Sequence, residues 1–361
     1  MKKLELDRRA FLLGAGASIS TGLLSHTAHG SARDDDVLFA AGFRDKNGEF
    51  GLALLSEAGE IIHQHKLPAR GHGVTANAHS DHAVIFARRP GNFALAFDPN
   101  MRTTPTLFKT PIDRHFYGHG AFSSDGKLLF ASENDFETGE GKIGIYDVRN
   151  GFLRIGEFAS GGIGPHEIIM LPDQKTLCVA NGGIKTHPQF PRTKLNLDSM
   201  RSNIAFIDVT SGLIRAVHPL PETWSQLSMR HMAADHEGTV WIGGQYEGNA
   251  LDQAPLLAKI SDGETLEFIN LPTKHLFGLK NYVGSVTINE NDGIIAFSSP
   301  KGGRVLLVDR SSGQVIKSQN AKGTCGLAPH LNSIITSSEN GRFGEKNHKV
   351  NWDNHIGLLR L

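Results

Sequence analysis

Short apolar runs separated by glycine- and acid-rich turns recur along the chain from Val37 onward, and none carries a helical period. Residues 83–87, 128–131, 177–180, 240–243, 294–297 and 334–336 each predict a buried strand. A second set, residues 94–98, 143–147, 204–208 and 305–309, predicts a partner strand that ends in an acid and a turn. Turns such as Ser124-Asp125-Gly126 and Asn291-Asp292-Gly293 suit the hairpins between strands. A more polar fourth strand follows, as at residues 153–158 and 314–318.

Ahead of each apolar pair stands another recurring segment. Gly71-His72-Gly73-Val74 and Gly118-His119-Gly120-Ala121 lie 47 residues apart, and His166 in Gly164-Pro165-His166-Glu167 follows His119 by the same interval. Met229-Arg230-His231-Met232, Tyr282-Val283-Gly284-Ser285 and Thr324-Cys325-Gly326-Leu327 continue the series. Four antiparallel strands in each repeat of about 40–50 residues is the pattern of a β-propeller. Residues 37–66 read as a further copy without its first strand, and the copy at the C-terminus reads as lacking its fourth. The expectation is an all-β fold: a single β-propeller of seven four-stranded blades over residues 33–361. A closed ring leaves no exposed sheet edge, whereas a solenoid needs caps that the sequence does not show.

The first residues read differently. Met1-Lys2-Lys3, then Asp7-Arg8-Arg9-Ala10-Phe11-Leu12-Leu13, a glycine-interrupted apolar stretch and small residues near Ala28 to Ala32 follow the order of a removable secretory signal. The paired arginines resemble the twin-arginine signal, with Asp7 where Ser or Thr is usual. Residues 1–32 are therefore expected to be a signal peptide, and the mature protein periplasmic. The stretch is shorter than the ~20 residues needed to span a bilayer, so stable membrane insertion is not expected.

Composition narrows the partners. The 37 basic and 37 acidic side chains cancel, which provides no general field for nucleic acid. Two cysteines cannot make a disulfide framework. Gly-x-Ser-x-Gly, His-Glu-x-x-His, a phosphate-binding P-loop and Cys-x-x-Cys-His are all missing from the sequence, which excludes covalent c-type haem attachment.

The 18 histidines matter through their placement. In a propeller the first strand of each blade lines the central channel. His72, His119, His166 and His231 all start such a strand, and counting back from the second strand puts Cys325 at the same place. These five are candidate ligands for iron, copper or zinc, since imidazole and thiolate are borderline-soft donors. The alternative is a structural hub in which the histidines pack or bond neighbouring blades. Loops after the second strands reach the same mouth, which makes Arg88, Glu133, Asn181 and Gln245 candidate ligand-binding residues. The insertion at residues 184–202 adds His187 as a further candidate, and reads either as a lid over the mouth or as an ordinary excursion. An acid–base pair at His166-Glu167, beside Arg88 or Arg114, would suit a lactonase-like or redox enzyme; a docking scaffold without metal is the third reading.

The runs Gly161-Gly162-Ile163-Gly164-Pro165-His166-Glu167, Ala180-Asn181-Gly182-Gly183-Ile184-Lys185-Thr186-His187-Pro188 and Lys194-Leu195-Asn196-Leu197 are distinctive. With Tyr117-Gly118-His119-Gly120 and the twin-arginine start, they resemble a bacterial family catalogued as a domain of unknown function. The resemblance spans essentially all of the mature chain. It implies a seven-bladed periplasmic propeller, expected as a monomer, that occurs beside imelysin-type and other periplasmic iron-uptake proteins. Iron traffic it implies only by association; joined to the ring of histidines, this gives the expectation of a protein that binds a metal ion or haem-related ligand as an accessory to iron acquisition. The resemblance brings no catalytic residues with it.

Overall fold

The structure is a computed structural model that describes residues 37–190 and 193–359. The signal-peptide expectation lies outside these residues. Seven four-stranded antiparallel sheets form a β-propeller, and among the described residues helix is confined to Thr273–Gly278 and a single 3-10 turn at Glu222–Trp224. Among the described residues no helix is long and apolar enough to cross a membrane.

Blades two to seven each take four consecutive strands. Their innermost strands are Gly71–Thr75, Arg114–Phe122, Pro165–Met170, Leu227–Ala234, Ser285–Asn289 and Thr324–His330. Blade one is completed from the other end of the chain. Its inner strand is Asn351–Leu358, which pairs antiparallel with Val37–Arg44 through Phe39↔Leu358, Ala41↔Ile356 and Arg44↔Asn351. The first copy thus lacks its own inner strand, as the sequence indicates. The last copy does not lack its fourth: Arg342–Phe343 and Lys346–Asn347 are its short third and fourth strands. The apolar strand beyond them belongs to blade one.

Burial follows the strand order. Ala83–Ala87 is buried throughout, as befits a strand covered on both faces, whereas Leu153–Ala159 alternates exposed and half-buried at the rim. Trp241, Phe206 and Phe297 fill one inter-blade layer, and Phe39, Phe343 and Trp352 fill another. Burying each such side chain contributes about 1.5–3 kcal/mol. Both cysteines are buried and free, with Cys178 inside blade four and Cys325 near the axis.

The inner strands are not regular. In six of the seven blades the pairing of the innermost strand is interrupted by a bulge, at Gly71/Val74, Phe116/Gly120, Pro165/Glu167, Met229/His231, Thr324/Gly326 and opposite Ala41/Phe43. A bulge adds a residue and re-aims its side chain. In blade six the register is unbroken.

Candidate metal centre

The bulges carry the hub. His72, His119, His166 and Cys325 fall inside them, His231 closes one, and a fifth histidine, His355, lies in the bulge of blade one. Five imidazoles from consecutive blades therefore converge on the axis. Ring centroids are 4.6 Å apart for His72–His355, 4.9 Å for His72–His119, 5.2 Å for His119–His166, 4.7 Å for His166–His231 and 4.9 Å for His231–His355. His119 also faces His231 at 5.8 Å and His355 at 4.8 Å, so it touches every other member.

The glycines beside the histidines make this approach possible. A Cβ on Gly118 would lie 2.4 Å from Cδ2 of His72, and its φ of +105° disfavours any L side chain. A Cβ on Gly73 would lie 2.8 Å from Nδ1 of His119. The two Gly-His-Gly segments thus clear space for each other's imidazole.

One carboxylate serves two of the rings. Glu167 accepts from the Met232 amide at 2.9 Å and pairs with Nδ1 of His231 at 3.3 Å; its other oxygen lies 3.4 Å from Nδ1 of His119. A carboxylate on Nδ1 fixes the tautomer and leaves Nε2 free to ligate. Among the described residues, Nε2 of His119 and His355 and Nδ1 of His72 and His166 are buried without a hydrogen-bond partner. Orphaned buried polar atoms are costly, and an ion is one way to satisfy them. Two sets of three ligand atoms, from His72, His119 and His166 and from His119, His231 and His355, lie within 4.8 Å of one another.

Burial is the main influence on the charge of these rings. It holds His72, His166 and His355 well below the ordinary histidine range, and moves His119 and His231 down to about 3. Burial also raises Glu167, with His119 pulling it partly back. All five imidazoles are neutral at neutral pH, the form that binds metal.

The other residues singled out by sequence are distributed differently. Cys325 sits outside both histidine sets; its thiol donates to the Gly284 carbonyl at 3.4 Å, and burial pushes its pKa up to about 12. Glu133 is fully buried within blade three, where it accepts from the Tyr146 hydroxyl at 2.5 Å and from Arg154 at 2.9 Å. Asn181 is spent on Ser160 and Asn203, and Gln245 on the Val283 carbonyl. His187 packs on Phe136 in the insertion. Arg88 does reach the loop-side mouth, beside Arg70, Asp353 and Tyr282. Glu167 meets His119 and His231, and Arg114 is held by Asp113 and Asp135, so the acid–base grouping with His166 is not assembled.

The hub separates two spaces. On the far side a cavity of about 350 Å³ is lined by His119, His355, Glu167 and apolar inner-strand residues such as Val286 and Leu327. On the loop side a narrow crevice runs between Arg89, Tyr117, His166 and Arg230, beneath Ile184 and Thr186 of the insertion. Asn196 pins the neck of that insertion through the Lys185 amide and the Gly183 carbonyl.

His355 is the member that sequence reading missed. Its signal was the unmatched strand at the C-terminus, which the copy lacking a first strand required.

Comparison with known proteins gives the fold a setting. The chain resembles a solved chain of hydrazine synthase from Kuenenia stuttgartiensis with a TM-score of 0.58 and 12% identity, covering 85% of this chain and 89% of that one. A likeness at that identity concerns the fold alone. No curated protein matches the sequence. Residues 65–359 match the family described as "Protein of unknown function (DUF1513)", a span that takes in blades two to seven and the inner strand of blade one, and the chain belongs to that family.

Proposed function

We propose that this propeller is a periplasmic metal-binding protein that holds one transition-metal ion among its hub histidines, as an accessory to iron acquisition. The observation that carries the reading is the convergence of neutral imidazoles whose buried ring nitrogens have no partner in the protein. An all-imidazole donor set suits iron, copper or zinc. His119 belongs to both sets of ligands, and its Nδ1 faces Glu167, so its single free nitrogen serves one ion. Rings 4.6–5.9 Å apart leave room for an ion between them and none for a porphyrin, which favours an ion over haem. The twin-arginine-like start supports export, and the resemblance to a family found beside iron-uptake proteins supports the iron connection.

The test is metal content. The exported chain, incubated separately with iron(II), copper(II) and zinc(II) and desalted, is expected to retain close to one equivalent of at least one of them by mass spectrometry. His119→Ala combined with His166→Ala is expected to retain none while keeping the circular dichroism of the parent. Parent protein that refuses all three metals, or a double variant that binds as well as the parent, contradicts the proposal.

A further inference from the structure

The loop-side crevice carries positive charge that the protein does not neutralise. Arg89 and Arg230 line it, and Arg88 precedes Arg89 with its amide bonded to the Arg70 carbonyl at 2.9 Å, which brings four arginines to this side of the hub. The carboxylates facing them are already engaged. Arg70 takes Asp353 through two hydrogen bonds of 2.7 and 3.0 Å. Glu247 is divided between Arg230, at 3.4 Å, and Lys194 of the insertion. Arg88 and Arg89 donate no side-chain hydrogen bond and form no ion pair among the described residues, although both are half-buried.

Cations in this state are unfavourable for folding. Burial and the like charge of neighbouring arginines act on both side chains in the same direction, lowering their pKa. A buried charge is ordinarily paired. Guanidinium groups arranged around a crevice with a hydroxyl nearby form the fork geometry that recognises carboxylate and phosphate oxygens. Here the neutral donor is Tyr117, whose hydroxyl has, among the described residues, only Thr186 as a partner, at 3.3 Å.

We propose that this crevice binds a multivalent oxyanion, carboxylate or phosphate in type, between Arg89 and Arg230, with Arg88 at the margin and the Tyr117 hydroxyl as a further donor. In its present conformation the crevice offers about 10 Å³, room for about one water. An anion therefore enters as the half-exposed Arg89 side chain swings outward and then closes over it. The site is separate from the hub ion and does not depend on it: the arginines require an anion whether or not a metal lies beneath.

The test uses the full chain, stripped of metal by a chelator that is then removed, and in parallel the same protein loaded with zinc. Citrate and inorganic phosphate are titrated by calorimetry, with sodium chloride at matched ionic strength as the control for screening. Saturable binding of one equivalent of either anion to the stripped protein is expected, and which one binds more tightly tells carboxylate from phosphate. Arg89→Gln is expected to weaken that binding at least tenfold. Because Arg89 has no partner to leave behind, the ligand-free variant is expected to melt at the parent temperature or above it. Arg88→Gln provides a second variant with the same expectation for melting and a smaller loss of binding. No binding beyond the chloride control overturns the proposal. So does an Arg89→Gln protein that binds like the parent, or one that melts lower than the parent with binding unaltered. If zinc is refused while citrate or phosphate binds, the hub assignment fails and the anion site stands.

Discussion

At the residue scale, neighbouring buried acids in this protein do different work, and substitution separates them. Glu167 orients His119 and His231, so Glu167→Gln is expected to leave a folded propeller whose metal affinity, measured by competition with a chromogenic chelator, falls about 10–100-fold. Glu133 is joined to Arg154 and Tyr146 inside blade three. Glu133→Ala leaves a partly buried guanidinium without its main partner and is expected to cost about 3 kcal/mol in urea unfolding, with metal content in the folded fraction unchanged. From sequence Glu133 read as a loop residue at the mouth and Glu167 as the partner of His166. Only the alternation of faces along the second strand decides that Glu133 turns into the blade, and a strand ended at Ala131 rather than at Asp135 hides that. Asn181 and Gln245 are likewise residues at strand ends, with their side-chain amides bonded to Ser160, Asn203 and Val283.

At the element scale, the inner-strand bulges and the closing strand are what bring the imidazoles to the axis. Gly118→Ala puts a methyl group into the ring of His72 at a left-handed backbone position. It is expected to lower the melting temperature and to weaken metal retention together, whereas alanine at exposed Gly151, with open space around it, should affect melting alone. Ending the chain after Val350 removes the inner strand of blade one and His355 with it. That truncated chain is expected to lose the single cooperative unfolding transition seen by circular dichroism. Four hub histidines were legible in sequence because each starts the first strand of its repeat: His72 and His119 in Gly-His-Gly, His166 after the same interval of 47 residues, and His231 ahead of the next apolar pair. The fifth was hidden because the strand that carries it joins a blade at the opposite end of the chain, and counting repeats in order does not pair the two termini. Strand positions were otherwise readable, since runs such as Ala83–Ala87 are apolar throughout and bounded by turn residues.

At the scale of the whole molecule, a neutral histidine hub makes the metal-free fold sensitive to acid. Burial lowers the folded-state pKa of all five rings below the unfolded value of about 6.5, to about 3 for His119 and His231. The unfolded chain therefore binds more protons as pH falls. Stability is fully present above about pH 6.5 and is lost progressively below it, at about 1.4 kcal/mol per pH unit for each ring until its folded pKa is reached. Exposed histidine ligands would release metal near pH 6, but these depressed pKa values keep proton competition weak until more acid conditions. Metal that binds only the folded state opposes the loss. Melting curves from pH 7.5 to 5 are thus expected to fall steeply for chelator-treated protein and only slightly for loaded protein; parallel curves would mean that the hub histidines do not hold the ion.

The coordination of the bound ion tests the central claim most directly. X-ray absorption at the metal edge, on the exported chain loaded to one equivalent, is expected to show a first shell of nitrogen scatterers at about 2.0–2.2 Å with the outer-shell pattern of at least three imidazoles. A first shell of oxygen alone, or a spectrum unchanged by the His119→Ala and His166→Ala pair, would place the metal elsewhere and contradict the account.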